Sequence, residues 1–363
     1  MTKSLSPLSD FGDHFIVALD GTSFTNIDGA LLTELRPLGV FLDGDNFLKG
    51  APYGEWLAAL RDLLAKAKAA CGRERILVAI DHEGGRVYRT PAPVTRFPYA
   101  ADYARFSAAV GEAQAVELRS LGINLLFGPV ADIHSNPANP VIGSRALGAT
   151  AAEVTRAALA YKRAVQALGI RCCAKHFPGH GDTATDSHLV LPRVDRSEEE
   201  LLSRELLPFE ALIDDGISCV MTSHISFPQI DARYPATLSK PILTGLLRGR
   251  LGFGGVIITD DIDMKGLSDA FSEEEIATRV VQAGVDVFLF NHKPQRAVGF
   301  AKTLAQAVAT SPSIRDALSL SRKRIARLVK SVKENPVVEL SDEVFASHQG
   351  LCTKIMKTAS AVG

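Results

Sequence analysis

A single closed (β/α)8 barrel is the fold class predicted for this chain of 363 residues, on three observations. Short apolar runs alternate with longer amphipathic stretches throughout, which implies a parallel sheet with helical crossovers. There are eight such runs, with no change of composition between them. Most end in a charged or hydrogen-bonding residue, as expected of a barrel in which the C-terminal ends of the strands build a site. An open doubly wound sheet shares the alternation and is the competing topology.

In chain order the apolar runs are 14–19 ending at Asp20, 39–42 at Asp43, 76–80 at Asp81 and 123–130 near Asp132. The next four are 170–174 ending at Lys175, 218–223 at His224, 255–259 at Asp260 and 285–290 at Asn291. Helical periodicity fills 57–70, 103–121, 152–168, 197–214, 238–250, 272–283 and 294–310. A further helix is expected over 314–333, with Leu318, Ile325, Leu328, Val329 and Val332 on an apolar side and Arg322, Lys323, Arg324, Arg327 and Lys330 elsewhere. These cations read as a solvated face in preference to a nucleic-acid patch. Pro336 ends that helix, so the barrel is assigned to 1–336 and residues 337–363 to a poorly patterned C-terminal extension without chemistry of its own.

Composition narrows the class of protein. With 46% apolar and 22% charged residues and a formal net charge of −1, the chain has ample core material and no bias toward nucleic acid or an anionic membrane. The five cysteines, Cys71, Cys172, Cys173, Cys219 and Cys352, are odd in number and irregularly spaced. They read as small buried hydrophobes of a reducing compartment. The first apolar run is too short for a signal-peptide core or a membrane span, so a cytoplasmic protein is expected, as a monomer or weak oligomer.

The densest chemistry lies in Lys175-His176-Phe177-Pro178-Gly179-His180-Gly181-Asp182-Thr183-Ala184-Thr185-Asp186-Ser187-His188. Pro and Gly end the preceding strand, placing these groups on a loop at its C-terminal end. Asp186 and His188 are two apart, so in an extended or turning segment the carboxylate can accept the imidazole N–H and make a general acid or base working near pH 7. A surface turn with an idle His is the bland alternative. His176, His180, Asp182 and His188 are also metal-ligand types, but Pro178 and Gly179 break any helical His-x-x-x-His face. Lys175 and His176 are better assigned to hydrogen bonding a substrate.

Three further stretches qualify. In 255–264 a buried strand delivers Asp260 and Asp261, with Asp263 beyond. A nucleophile or base, a divalent-cation site and a helix cap are all readings of these carboxylates. Strand alternation lets only one of the first pair face the barrel, and Asp260, directly after the apolar run, is preferred. In 80–89, Asp81, Glu83, Arg86 and Arg89 surround a Gly pair, a pattern suited to gripping sugar hydroxyls or to a structural ion pair. The Gly pair matches neither a dinucleotide nor a Walker loop. Arg145 follows the Pro-bounded 139–144 and is uninformative alone.

Taken together these blocks resemble the family 3 glycoside hydrolases, and within them the bacterial β-N-acetylglucosaminidases of peptidoglycan recycling. The resemblance rests on 175–181 continuing to Asp186-Ser187-His188, on 81–87, on 139–143 with Arg145, and on Thr259-Asp260-Asp261. The blocks stand in the family's order over roughly residues 10–335. The resemblance implies a retaining hydrolase with Asp260 as nucleophile and His188, oriented by Asp186, as acid and then base. It further implies that Asp81 and Arg89 bind the sugar, that Arg145, Lys175 and His176 complete the pocket, and that neither metal nor cofactor is needed. A single-domain member is similar to the recycling enzymes that release N-acetylglucosamine from 1,6-anhydromuramyl sugars or peptides. Residues 182–185 and Tyr88 depart from the family pattern and are placed on the leaving-group side.

Competing functions are a phosphorylase, since an imidazole acid/base does not repel phosphate as a carboxylate does, and a β-glucosidase or β-xylosidase of the same family. A non-catalytic sugar-binding barrel would require loss of a catalytic group, whereas Asp186, His188 and Asp260 are all present. The expected partner is a small carbohydrate or muropeptide.

Overall fold

The structure is a computed structural model in which residues 7–185 and 191–361 are described. Eight parallel strands close in sequence order: β1 (Phe15–Ala18), β2 (Gly39–Leu42), β3 (Leu77–Ile80), β4 (Leu125–Leu126), β5 (Arg171–Phe177), β6 (Cys219–Thr222), β7 (Val256–Asp261) and β8 (Val287–Phe290). β1 pairs with both β2 and β8, Ile16 lying opposite Gly39 on one side and Leu289 on the other. His14 Nδ1 bonds the Asp286 carbonyl oxygen at 2.8 Å across the same seam. Gly39 is obligatory at its level of the barrel, because a Cβ there would stand 2.4 Å from the Leu77 carbonyl oxygen.

The crossovers are helical. In order they are α1 (Asn26–Leu35), α2 (Tyr53–Cys71), α3 (Ala100–Tyr103), α4 (Ser107–Ser120), α5 (Ala151–Ala167), α6 (Glu198–Ser203), α7 (Leu207–Asp214), α8 (Lys265–Ser268), α9 (Glu273–Ala283) and α10 (Arg296–Thr310). α11 (Pro312–Ser331) and α12 (Asp342–Ser360) follow, and a π-type helix, Pro241–Arg250, joins β6 to β7. Capping boxes start α1 at Thr25 with Asp28, α5 at Thr150 with Glu153, and α6 at Ser197 with Glu200.

The strands depart from the expected runs at three places. The fourth run, 123–130, is broken because Pro129 has no N–H for the ladder; only Leu125–Leu126 pair as a strand, and Val130 rejoins through a bridge to Lys175. β5 continues through Phe177, opposite Thr222, so Lys175 and His176 are strand residues and not loop residues. β7 likewise runs through Asp261, so Asp260 lies inside the strand end and not beyond it.

Among the helices, α1 was not anticipated, 103–121 is interrupted by a 3-10 turn at Ala104–Phe106, and 197–214 is two helices. The last segment is more ordered than its pattern implied. α12 buries a narrow stripe, Phe345 and Ile355, with Phe345 edge-on to Tyr53 at 5.4 Å. His348 on α12 bonds Glu117 at 2.7 Å, and Glu117 also accepts the Thr95 backbone N–H at 2.8 Å.

Side chains alternate around the barrel. Ile16, Phe41, Leu77, Ala79, Leu125, Phe127, Cys173, Cys219, Met221, Val256, Ile258, Val287 and Leu289 fill the interior, whereas Val17, Val40, Val78, Val220 and Ile257 pack outward under the helices. The interior is stoppered at its N-terminal end by Ile325 and Leu328 of α11 and Val332 just past it. The α11 arginines are also engaged rather than simply solvated: Arg324 pairs with the buried Asp286 at 2.8 Å and Arg322 donates to the Asp10 carbonyl. All five cysteines are free, and four are buried.

Because Leu328 seals the barrel while Leu320 on the same helix is 54% exposed, truncating them should differ sharply. Leu328→Ala is expected to cost about 2–5 kcal/mol and Leu320→Ala less than about 0.5 kcal/mol, measured by urea unfolding. Equal losses would remove the stopper role.

Candidate active site

A cleft of about 290 Å³ opens at the C-terminal ends of the strands, lined by Asp81, Arg86, Val87, Arg89, Pro140, Val141, Arg145, Lys175, His176, His180, Met221 and Asp260. Its position follows from alternation. Leu77 and Ala79 point inward on β3, Cys173 on β5, and Val256 and Ile258 on β7; two residues further along the chain stand Asp81, just past β3, and Lys175 and Asp260, within β5 and β7. The apolar interior therefore ends in charged side chains at the mouth. Asp81, Arg89, Arg145, Lys175, His176 and Asp260, six of the eight residues expected at the site, share this one cleft. The other two, Asp186 and His188, lie outside the described residues.

The two members of the Asp260-Asp261 pair have different environments. Asp261 is buried and accepts from the Asn291 N–H at 3.0 Å, from the His292 N–H at 3.2 Å and from the His292 ring. It fastens the end of β7 to the loop after β8, and its hydrogen bond lifts the His292 imidazole above its ordinary range. Asp260 is half-buried in the cleft, its Oδ1 accepting the Asp261 N–H at 2.8 Å. Asp263 holds Arg296 at 2.5 Å, so the three carboxylates form no shared cation cage.

On the opposite wall Lys175 is bound by Asp81 and by Glu83, the latter at 2.7 Å. Arg145 grips Glu83 with two parallel bonds, Nε–H to Oε2 and Nη2–H to Oε1, both 2.8 Å. Burial opposes ionisation of Glu83, but the Arg145 and Lys175 charges overcome it and hold the carboxyl well below the usual range. Arg89 pairs with Asp43 at 3.1 Å, and Arg86 reaches the Val141 carbonyl. Glu83 was read from the sequence only as one charge among several; its partner lies 62 positions away.

Asp132 organises His176 at the end of β5 and the loop that follows it. Its Oδ2 accepts from His176 Nδ1 at 2.7 Å and its Oδ1 from the backbone N–H groups of His176 and His180, at 3.1 and 2.8 Å. Asn139 ties the loop after β4 to the same segment, donating to the His180 and Gly181 carbonyls at 2.8 and 3.1 Å. Gly181 permits this lacing, since a Cβ there would fall 1.6 Å from the Ile133 carbonyl oxygen. The sequence reading gave neither Asp132 nor Asn139 a role of its own, although Asp132 closes the fourth run and Asn139 opens the 139–143 block.

His180 Nδ1 lies 3.0 Å from Thr183 Oγ1, and Asp182 pairs with Arg196 at 2.9 Å. Among the described residues no three His, Cys, Asp or Glu side chains are arranged to hold a metal. Tyr88 and Asp182, read as leaving-group determinants, are engaged within the protein: the Tyr88 hydroxyl donates to the Val94 carbonyl.

Residues 39–328 match the glycosyl hydrolase family 3 N terminal domain, and the chain belongs to this family of glycoside hydrolases. Among curated relatives it is 39% identical to a beta-hexosaminidase of Methylococcus capsulatus over 264 residues, 70% of this chain and 78% of that protein. A beta-hexosaminidase of Thioalkalivibrio sulfidiphilus is 37% identical over 77% of this chain and 80% of its own. Among solved structures, a family 3 beta-N-acetylglucosaminidase from Paenibacillus superposes with TM-score 0.85 at 32% identity, covering 97% of this chain and 68% of that one. NagZ from Neisseria gonorrhoeae in complex with N-trifluoroacetyl-D-glucosamine gives TM-score 0.70 at 30% identity, covering 86% and 97%. No described helix is long and apolar enough to cross a membrane.

Two buried imidazoles make stability pH-dependent. Burial, then the Arg89 charge, presses His82 down to about 3; burial, then neighbouring His176, presses His180 down to about 4. Both are neutral in the folded protein near neutrality, whereas an unfolded His takes up its proton near 6.5. Below that value the unfolded chain binds more protons, so this contribution is intact above about pH 6.5 and is lost as pH falls toward the folded values. At pH 5 each imidazole should cost about 2 kcal/mol. Stability measured by denaturant from pH 7 to 5 should fall accordingly, and less steeply in His82→Gln; parallel profiles would argue against a neutral buried His82.

Proposed function

We propose that the protein is a retaining β-N-acetylglucosaminidase that removes terminal non-reducing N-acetylglucosamine from peptidoglycan fragments in the cytoplasm. GlcNAc-1,6-anhydroMurNAc and its peptides are the substrate class. The names of the relatives and the N-trifluoroacetyl-D-glucosamine held by one of them support the sugar. The observation that carries the reading is the placement of Asp260 in the cleft that also holds Asp81, Arg145, Lys175 and His176, while neighbouring Asp261 is buried at the end of β7 and bonded to the loop after β8.

The residues take the following roles. Asp81, Arg89, Arg145, Lys175 and His176 hold the sugar hydroxyls and the acetamido group. His176 offers Nε2 to the ligand because Asp132 occupies Nδ1. Asp260 attacks the anomeric carbon as His188, steadied by Asp186, protonates the departing oxygen. The glycosyl ester on Asp260 is then hydrolysed by a water that His188 deprotonates, and two inversions give retention. An imidazole thus replaces one of the two carboxylates that most retaining enzymes use. The reaction so written requires only carboxylate and imidazole.

A 5-fluoro glycosyl fluoride should trap the intermediate, and fragmentation of the labelled peptide should place one sugar on Asp260. Label on Asp261, or an oxazoline with no label, overturns the nucleophile assignment. Asp260→Ala should lose about 10⁴-fold or more in kcat. His188→Ala should lose about 10²–10⁴-fold with a poor leaving group and much less with an activated phenol, while equal losses argue against the acid.

N-acetylglucosamine, and not its 1-phosphate, should be released whether or not phosphate is present. Prolonged chelation should leave the rate unchanged; loss of activity restored by zinc would return the metal reading.

A further inference from the structure

Among the described charged groups at the barrel mouth, Glu83 binds two cleft cations without lining the cleft itself. Its side chain is 6% exposed, against 23% for Asp81, the other carboxylate on Lys175. Three bonds converge on it from two elements: two from Arg145, on the loop after β4, and one from Lys175, on β5. Its backbone is fixed as well. The Glu83 N–H donates to the Val87 carbonyl at 2.9 Å, its carbonyl accepts the Tyr103 hydroxyl at 2.8 Å, and a Cβ on Gly84 would fall 2.5 Å from the Pro98 carbonyl oxygen. The carboxylate therefore has one place to stand.

From this geometry we propose that Glu83 is a positioning residue of the sugar site, one that never touches substrate but keeps Lys175 charged and aims Lys175 and Arg145 into the cleft. The proposal rests on the reading of this cleft as the sugar site. An ammonium as buried as Lys175, whose side chain is 2% exposed, is driven toward the neutral amine unless carboxylates hold its charge. Asp81 lines the cleft, so a sugar hydroxyl competes with Lys175 for its oxygens. Glu83 lies behind both cations and remains bound to them whether the cleft is empty or filled. Its two oxygens match the flat guanidinium fork, which fixes the plane of Arg145, while Oε1 also faces Lys175. Asp81 and Glu83 balance Lys175 and Arg145, so the network as a whole is neutral. Losing Glu83 leaves two adjacent cations with one carboxylate between them.

Lys175 is faced by Asp81 and Glu83 from the end of β3 and its loop, by Arg145 from the loop after β4 and by Cys173 on its own strand, and Asp260 of β7 lines the same cleft. Burial works against its charge, and Asp81 and Glu83 together more than offset this, lifting it above the ordinary lysine range. Glu83→Gln keeps the shape and removes the charge. Its kcat/KM near neutrality should fall about tenfold or more. Beyond the alkaline limb that His188 sets as general acid, a second limb, from loss of the Lys175 proton, should move down by about one pH unit or more. A merely structural role would lower the rate at all pH values and leave the limb where it was. In Glu83→Asp, which retains the charge, the limb should stay closer to wild type.

A second readout needs no substrate. Acetylation of Lys175 by acetic anhydride at about pH 9, followed by peptide mass spectrometry, should be slow in wild type and several-fold faster in folded Glu83→Gln. If wild type releases no N-acetylglucosamine but the lysine reactivity changes as stated, the functional reading fails and the positioning by Glu83 stands. If the enzyme is active and both the limb and the reactivity match wild type, the proposal is overturned. Should Glu83→Gln not fold, as judged by circular dichroism, Glu83→Asp carries the test. Its shorter reach cannot serve Arg145 and Lys175 together, so a kcat/KM equal to wild type in that variant would overturn the proposal.

Discussion

The two-residue period of a strand, imposed on a closed barrel, is the constraint from which the rest follows. Inward positions must be apolar where they meet other inward side chains, and they become free to carry charge only at the last residue before the mouth. On β3, β5 and β7 the change from apolar to charged comes two residues after Ala79, Cys173 and Ile258. The site is thus where the interior packing stops. A shift of one residue in any of these strands would send the charge under the helices and an apolar group into the cleft. Such a shift is opposed by Gly39, whose level of the barrel has no room for a Cβ, and by α11, which stoppers the other end.

Neighbouring carboxylates are made unlike by what surrounds them. Asp260 and Asp261 are adjacent, yet one lines a cleft and the other is an acceptor for the β8 loop. Asp81 and Glu83 both hold Lys175, but one borders the cleft and the other stands behind the cations. Asp132 collects three N–H groups from β5 and the loop after it, keeping His176 in a single orientation. In each pair the member that borders the cleft is half-buried, while the other is held within the protein.

Much of this was legible in the sequence because strand periodicity and strand endings are local properties. All eight strands fall within or overlap the apolar runs, and the residue ending each run identified Asp81, Lys175 and Asp260 without any knowledge of contacts. Pairings across the barrel were not legible. Nothing local says that Glu83 meets Arg145, that Asp132 meets His176, or that His348 on α12 meets Glu117. Helix α1 escaped notice because Gly29 interrupts a short pattern, although Thr25 and Asp28 spell a capping box. The strand ends were misjudged where Lys175, His176 and Asp260 stay in the ladder despite being polar. Polarity marks the mouth of the barrel, not the end of hydrogen bonding.

The seam between β1 and β8 has a consequence for how the chain comes into being. His14 and Asp286, which touch across it, are 272 residues apart. At about 5–20 residues per second, a ribosome takes roughly 15–55 s to make the second after the first. Through that interval Phe15, Ile16 and Val17, all fully buried in the finished barrel, have only β2 to pair with, and their other edge is open. The interior also lacks its stopper until Val332 emerges. The first strand of the barrel is therefore among the last to be enclosed, and between the making of β1 and of β8 its open apolar edge is of the kind that chaperones for extended apolar segments recognise.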